Sequence, residues 1–145
     1  MDFFNRLIVA LTELHPTHPM IVHFPIALTG AAFLFILIAH WKKNPAFEQA
    51  AFFNIVLAAI STIVAGITGY IDNINNYVGE APNASIKIFL AITMFLLTTG
   101  ISVIRYRNPE IFSKGNRALY IAAYAISFLI AIVLAFLGGV ILYGF

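Results

Sequence analysis

The stretch "AAFFNIVLAAISTIVAGITGY", residues 50–70, decides the fold of this chain. It contains no charged side chain, and its polar groups are one amide and a few hydroxyls. A helix of this length spans about 30 Å, which is the thickness of the hydrocarbon core of a bilayer. The stretch therefore predicts a helix that crosses a membrane.

Three further apolar stretches are long enough to cross a bilayer in the same way. The connectors between the stretches are short and contain Pro or Gly among polar residues, which favours antiparallel neighbours. We predict an all-α fold, a four-helix transmembrane bundle with up-down topology. Its spans are expected at about residues 20–40, 50–70, 86–104 and 119–143.

The composition also indicates a membrane protein. The chain has 145 residues, of which 61% are hydrophobic and 10% are charged, whereas a soluble domain carries about 25% charged residues. We therefore expect one membrane domain over residues 1–145, with the lipid bilayer as its main partner. The net charge of +2 is too small to indicate a nucleic-acid surface.

The first residues, "MDFFNRLIVALTEL" (1–14), place apolar side chains at helical spacing with polar side chains between them. This pattern is typical of a short amphipathic helix that lies in the plane of the membrane interface. We expect such a helix before the first span.

The basic residues predict the orientation of the bundle. Lys42 and Lys43 lie in the first connector, and the second connector is acidic or neutral apart from Lys87 at its margin. The third connector carries Arg105, Arg107, Lys114 and Arg117. By the positive-inside rule, the first and third connectors face the cytoplasm, and both termini lie outside the plasma (inner) membrane.

The segment "HPTHPMIVHFP", residues 15–25, gathers three of the four histidines at the outer end of the first span. Pro19 suits the first helical position, whereas Pro25 would lie inside the helix and leave the Ile21 carbonyl without its usual donor. A kink is expected there. His23 lies just inside the span, and we expect it to face the bundle or a cavity, because an ionisable group in contact with lipid is costly.

Candidate cofactor-binding residues are His23, His18 and Asp72. An imidazole can ligate a b-type haem, donate a hydrogen bond to a quinone, or relay protons. A candidate metal site consists of His15, His18 and His23, since three imidazoles suit zinc or copper. His18 and His23 are about 140° apart on a regular helix, so a common ligand requires distortion by the prolines. Alternatively, the rings are neutral and only brace the bundle.

Asp72 follows the second span, where the helix dipole disfavours a negative charge. We expect Lys87 or a protonated histidine to lie near it. His40, which precedes Trp41 and Lys42, is interpreted as an interfacial anchor.

Several chemistries are excluded by the sequence. The chain has no cysteine, which excludes disulfides, thiolate-ligated clusters, c-type haem and cysteine nucleophiles. No charged residue is expected in the middle of a span, which argues against a pump or charge-coupled transporter. Neither paired carboxylates nor a nucleophile–base pair can be named, so we expect no independent catalytic activity.

Three motifs carry a resemblance to a known family: "HPMIVHFPIAL" (18–28), "GITGYID" (66–72) and "LGGVILYGF" (137–145). The chain resembles the bacterial and archaeal four-helix membrane family called domain of unknown function 2231. Members of that family often carry a further histidine near the start of the third helix, where this chain has Asn83, Ser85 and Lys87. Some members are joined to Rieske-type iron–sulfur domains, so the resemblance implies a link to respiratory electron transfer.

The favoured hypothesis is a membrane protein with a histidine site in the outer leaflet, associated with respiratory electron transfer through a b-type haem or a quinone. A second hypothesis is a structural or accessory subunit that assembles with other membrane subunits or with copies of itself. A third is a membrane protein that binds a metal or a small solute.

Overall fold

The computed structural model of the chain describes residues 2–9 and 17–143. Helices account for nearly all of these residues. In chain order they are α1 (Phe3–Val9), α2 (Thr17–Lys42), α3 (Pro45–Tyr77), α4 (Ala84–Arg107), α5 (Ile111–Lys114) and α6 (Arg117–Tyr143).

Four of the helices, α2, α3, α4 and α6, are long and apolar enough to cross a membrane. Helix α2 packs against α3 and α6, and α4 packs against the same two helices, so the four form a closed ring. The predicted four-helix bundle is thus confirmed. Helix α1 confirms a helix before the first span, while its position in the membrane interface stays a prediction.

The interior of the bundle is narrow and lies on one stripe of each helix. On α2 the buried residues are Pro25, Thr29, Ala32, Ile36 and Ala39. They recur every three or four positions, which is the period of a helix that packs along one seam. The other faces of α2 carry exposed apolar side chains such as Phe24 and Leu34, as expected where lipid is the solvent.

Helix α2 begins earlier than predicted, at Thr17, so that Pro19 lies in its first turn and not at its first position. The helix continues through Pro25 to Lys42. Just after the proline, the Thr29 hydroxyl donates to the Pro25 carbonyl at 2.7 Å. A threonine that bonds back to its own helix satisfies its polar group without a partner helix.

Helix α3 is longer than the span predicted at 50–70, because local capping extends it at both ends. Asn44 caps its start through a 2.9 Å bond to the Ala46 amide, and Pro45 occupies the first turn. At the other end the Gly79 amide donates to the Asn73 carbonyl at 2.9 Å. The 33 residues of α3 correspond to about 50 Å, which exceeds the hydrocarbon core.

The end of α2 carries the aromatic and basic side chains predicted to anchor it. Trp41 is 76% exposed, and the Lys42 ammonium lies 4.5 Å from the centroid of its ring. His40 is exposed beside them. This end of the bundle also holds the start of α3, the end of α4, α5 and the start of α6, and we call it the basic end. The opposite end, with the start of α2, is called the histidine end.

Candidate functional site

Polar side chains from different helices meet at both ends of the bundle. At the histidine end the group is the His18 cluster, defined as His18, Thr68, Asp72 and Lys87. At the basic end it is the Glu48 cluster, defined as Glu48, Arg105, Tyr120 and Tyr124. The two clusters differ in burial and in how completely their polar groups are paired.

The ring of His18 packs against α3. Its Nδ1 lies 3.2 Å from the hydroxyl of Thr68, and that hydroxyl also donates to backbone carbonyls of its own helix. The close approach depends on Gly69, because a Cβ at this position would lie 2.7 Å from Cε1 of the imidazole. A glycine is therefore required for His18 to reach Thr68.

Asp72 lies one turn further along α3 and is partly buried. Its charge interacts with His18 on α2 and with Lys87 on α4, as the sequence predicted. Neither His18 nor Lys87 is among the ion pairs of the described chain. The Asp72 carboxylate instead accepts a hydrogen bond from the side-chain amide of Asn76 at 2.6 Å. Thus three complementary groups from three helices lie near one another without direct contact.

His23 does not belong to the His18 cluster. The sequence predicted that His23 would face the bundle or a cavity, and this is wrong, because the residue is exposed on the surface of α2. Its neighbours Met20 and Phe24 are 51% and 62% exposed. The five-residue spacing explains the difference, since it turns His23 away from the face that His18 presents to α3. A cofactor role for His23 stays a prediction.

The candidate metal site is only partly described. His15 lies outside the described residues. Among the residues that are described, no group of three His, Cys, Asp or Glu side chains is placed to hold a metal ion. His18 and His23 face different sides of α2 and do not form the predicted site by themselves.

The Glu48 cluster is a buried ion pair with two phenols. The Arg105 guanidinium donates to both carboxylate oxygens of Glu48, at 2.5 and 2.8 Å. Tyr120 donates to the same carboxylate at 3.2 Å, and its hydroxyl lies 3.0 Å from that of Tyr124. Glu48 is 4% exposed and Tyr124 is fully buried. A bidentate arginine–carboxylate pair with further hydrogen bonds satisfies the buried charge.

The two clusters are far apart along the bundle axis. Thr68 follows Glu48 on the same helix by 20 residues, a rise of about 30 Å. That distance is comparable to the thickness of the hydrocarbon core of a bilayer. The two clusters therefore lie at opposite ends of the bundle.

Residues 14–145 match the sequence model of a family described as a predicted membrane protein, DUF2231. The chain belongs to this family. The resemblance drawn from its three motifs is thereby confirmed, and the protein is a multi-pass membrane protein. Neither the comparison with curated proteins nor the comparison with solved structures gives a match.

Sequence reasoning missed the Glu48 cluster. The predicted spans leave Glu48 in the first connector, and Arg105 indicates only the orientation of the bundle. Two signals were available: the first and third connectors lie at the same end of an up-down bundle, and Tyr120 and Tyr124 share one helix face at a spacing of four. The family motifs at 18–28 and 66–72 pointed instead to the histidine end.

Proposed function

We propose that this DUF2231 protein binds the polar head of a membrane quinone at the His18 cluster and thereby serves respiratory electron transfer. The observation that carries the proposal is the arrangement of His18, Asp72 and Lys87, which come from three helices, are partly buried and do not pair directly. Such a group offers the Lys87 ammonium as a donor, and the Asp72 carboxylate and Nε2 of His18 as acceptors, to a ligand between the helices.

The chemistry of a quinone suits this arrangement. Its two carbonyl oxygens accept hydrogen bonds, for which the Lys87 ammonium is a donor. The hydroxyls of the reduced form donate, and the Asp72 carboxylate and Nε2 of His18 accept. The cluster lies near the end of the spanning helices, so the isoprenoid tail would extend into the hydrocarbon beside α2 and α3.

A b-type haem fits the described residues less well. Haem in membrane helices is held by imidazole ligands, and His18 is the sole described histidine that faces the inside of the histidine end. Nδ1 of its ring is bonded to Thr68 and the ring packs on Gly69. This leaves only Nε2 as a ligand, with no second described imidazole opposite.

Equilibrium binding of decylubiquinone to the protein in mild detergent tests the proposal. We expect Asp72→Asn and Lys87→Met each to weaken binding about tenfold, because each removes one charge-assisted hydrogen bond. Glu80→Gln and Lys43→Met are the matched controls, since both residues are exposed and lie outside the cluster. Equal affinity for all four variants would refute the site.

The absorption spectrum of the purified protein separates quinone from haem. We expect no Soret band. A Soret band that is lost in His18→Ala or His23→Ala would mean that the protein binds a haem in place of a quinone. Loss in only one of the two variants would also show which histidine is the ligand.

We also propose that the histidine end faces outward, because the basic residues gather at the opposite end. The absence of cysteine makes single-cysteine labelling straightforward. In intact cells a membrane-impermeant maleimide should label Asn75→Cys and leave Lys43→Cys unlabelled. The reverse result would invert the orientation and place the quinone site at the inner leaflet.

The exposure of His23 favours a second candidate function, that of an accessory subunit. An imidazole on the outer surface of a spanning helix is costly unless headgroups, a partner helix or a second copy covers it. A His23→Cys variant, which has a single thiol, should form a cross-link with its neighbour in native membranes. Recovery of only uncross-linked monomer would count against a subunit role at this face.

A further inference from the structure

The basic end contains an open cleft of about 400 Å³ between the start of α3, the end of α4 and α5. Glu48 and Arg105 lie in its wall, and Ala46, Phe112 and Ser113 are among the other residues that line it. A volume of this size accommodates a small polar group with part of its apolar stem. The quinone site proposed above lies at the other end of the bundle, so the cleft is independent of it.

Arg105 has hydrogen-bonding capacity to spare in this cleft. A guanidinium carries five N–H donors, and Glu48 accepts from Nε and from one N–H of Nη2. No other described residue accepts a hydrogen bond from Arg105. Its side chain is 17% exposed and lines the cleft, so donors remain for a group bound there. The carboxylate is already engaged by Arg105 and Tyr120, and it therefore offers few free lone pairs to a competing donor.

The surroundings of the cleft are strongly basic. The basic end contains two acidic residues, Glu48 and Glu110, and six basic ones. The basic residues are Lys42, Lys43, Arg105, Arg107, Lys114 and Arg117. Glu110 is bonded to Lys114 at 2.9 Å, so neither acidic residue is left to repel an anion without a cation beside it.

We propose that the cleft binds a phosphate group, with an anionic phospholipid of the adjacent leaflet as its carrier. The cleft lies where α3 begins and α4 ends, and the ends of helices that cross a bilayer are expected near the lipid headgroups. A guanidinium matches phosphate geometry through paired N–H donors, and basic pockets between spanning helices are typical sites for anionic headgroups. The apolar wall at Phe112 and Ala46 suits the glycerol backbone and the start of an acyl chain.

Native mass spectrometry of the detergent-purified protein measures this binding. The probes are dioleoylphosphatidylglycerol, which is anionic, and dioleoylphosphatidylcholine, which has the same chains and no net charge. We expect about tenfold tighter binding of the anionic lipid, since the basic end favours a net negative charge. Equal affinities would overturn the proposal.

Two variants locate the site. Ala46→Trp should fill the cleft and weaken binding of the anionic lipid about tenfold. Ala118→Trp is the matched control, because Ala118 is also the second residue of its helix at the basic end but does not line the cleft. Arg105→Lys keeps a cation beside Glu48 but lacks the paired donors, so it should also weaken binding. Equal losses for Ala46→Trp and Ala118→Trp, or an unchanged affinity for Arg105→Lys, would refute the site.

Competition with inorganic phosphate identifies the carrier. If the lipid occupies the cleft, millimolar phosphate should leave the lipid complex intact. Displacement by phosphate alone would assign the cleft to a soluble phosphate compound in place of a lipid, and the chemistry of recognition would stay the same. Both outcomes leave the quinone proposal untouched, because its variants lie at the histidine end.

Discussion

The two polar clusters contain similar chemical groups but differ in how many of those groups have a hydrogen-bond or ion-pair partner. In the Glu48 cluster the charges touch and each carboxylate oxygen accepts a hydrogen bond. Its residues are buried except for Arg105, which is partly buried. In the His18 cluster the charges of Asp72 and Lys87 act on each other without direct contact, and the residues are only partly buried. A completed network stabilises the fold, whereas an incomplete one can bind a ligand.

The difference shows why burial alone does not identify a site in this bundle. The Glu48 cluster contains the most deeply buried charge of the described residues, and its contacts connect α3, α4 and α6. The His18 cluster connects α2 and α3 through a single neutral hydrogen bond. We therefore assign stability chiefly to the first cluster and quinone binding to the second, while the remaining Arg105 donors serve the proposed lipid cleft.

The largest effect is expected from Glu48→Leu. This change leaves the Arg105 guanidinium partly buried without a counterion, and the free energy of unfolding should fall by about 3 kcal/mol. The double variant Glu48→Leu/Arg105→Leu should recover most of the loss, because no unpaired charge remains. Titration with sodium dodecyl sulfate, followed by circular dichroism, measures both. A stable single variant would contradict a structural role for this pair.

A glycine pair tests how tightly the histidine end is packed. Gly69→Ala places a methyl group against the His18 ring, while Gly66→Ala meets nothing within 4 Å. The second change should stabilise α3 by about 0.5–1 kcal/mol. The first should be less stable than the second by about 2 kcal/mol, since the ring must move. If the two variants have equal free energies of unfolding, the His18 ring can move aside at little cost and its contact with Thr68 does not hold it in place.

Tyr120→Phe removes one hydroxyl from the Glu48 cluster and keeps the ring that packs against Tyr124. The free energy of unfolding should fall by about 1 kcal/mol, because hydrogen bonds between membrane helices are individually modest. Tyr77→Phe, a phenol outside the cluster, serves as the control in the same titration. A loss comparable to that of Glu48→Leu would mean that the hydrogen bonds of the phenols, and not the ion pair, supply most of the cluster's contribution to stability.

The smallest effect on stability is expected from Asp72→Asn, at about 0.5 kcal/mol or less. The hydrogen bond of Asp72 runs to Asn76 of its own helix and is exposed, so the fold depends little on it. The same variant should nevertheless lose quinone affinity, as described above. A large destabilisation would place the His18 cluster in the same structural class as the Glu48 cluster.

Hydropathy was sufficient to predict the four spans. Inside a bilayer every backbone polar group must be hydrogen-bonded within the protein, so a long apolar segment must form a helix. It could not predict the ends of α3. These depend on the Asn44 cap and on the bonds that Asn73 makes to Gly79 and Ala81. Local capping extends the helix past the apolar stretch that defined the prediction.

The pairing of Glu48 with Arg105 could not be predicted for a different reason. The residues are 57 positions apart, and their contact depends on how α3 and α4 are rotated about their axes. Nearly every face of these helices is apolar, so hydrophobicity does not specify the rotation. The same ambiguity explains His23. The spacing correctly separated it from His18, yet it did not show which of the two faces inward.

The side chain of Trp41 has a practical consequence. It is the one tryptophan of the chain and lies exposed at the basic end, under the Lys42 ammonium. Tryptophan fluorescence of the protein in vesicles therefore reports from a single position in the fold. Lipids brominated near the glycerol should quench this emission more strongly than lipids brominated at the chain ends. The comparison measures the depth of Trp41 in the bilayer without a change to the sequence.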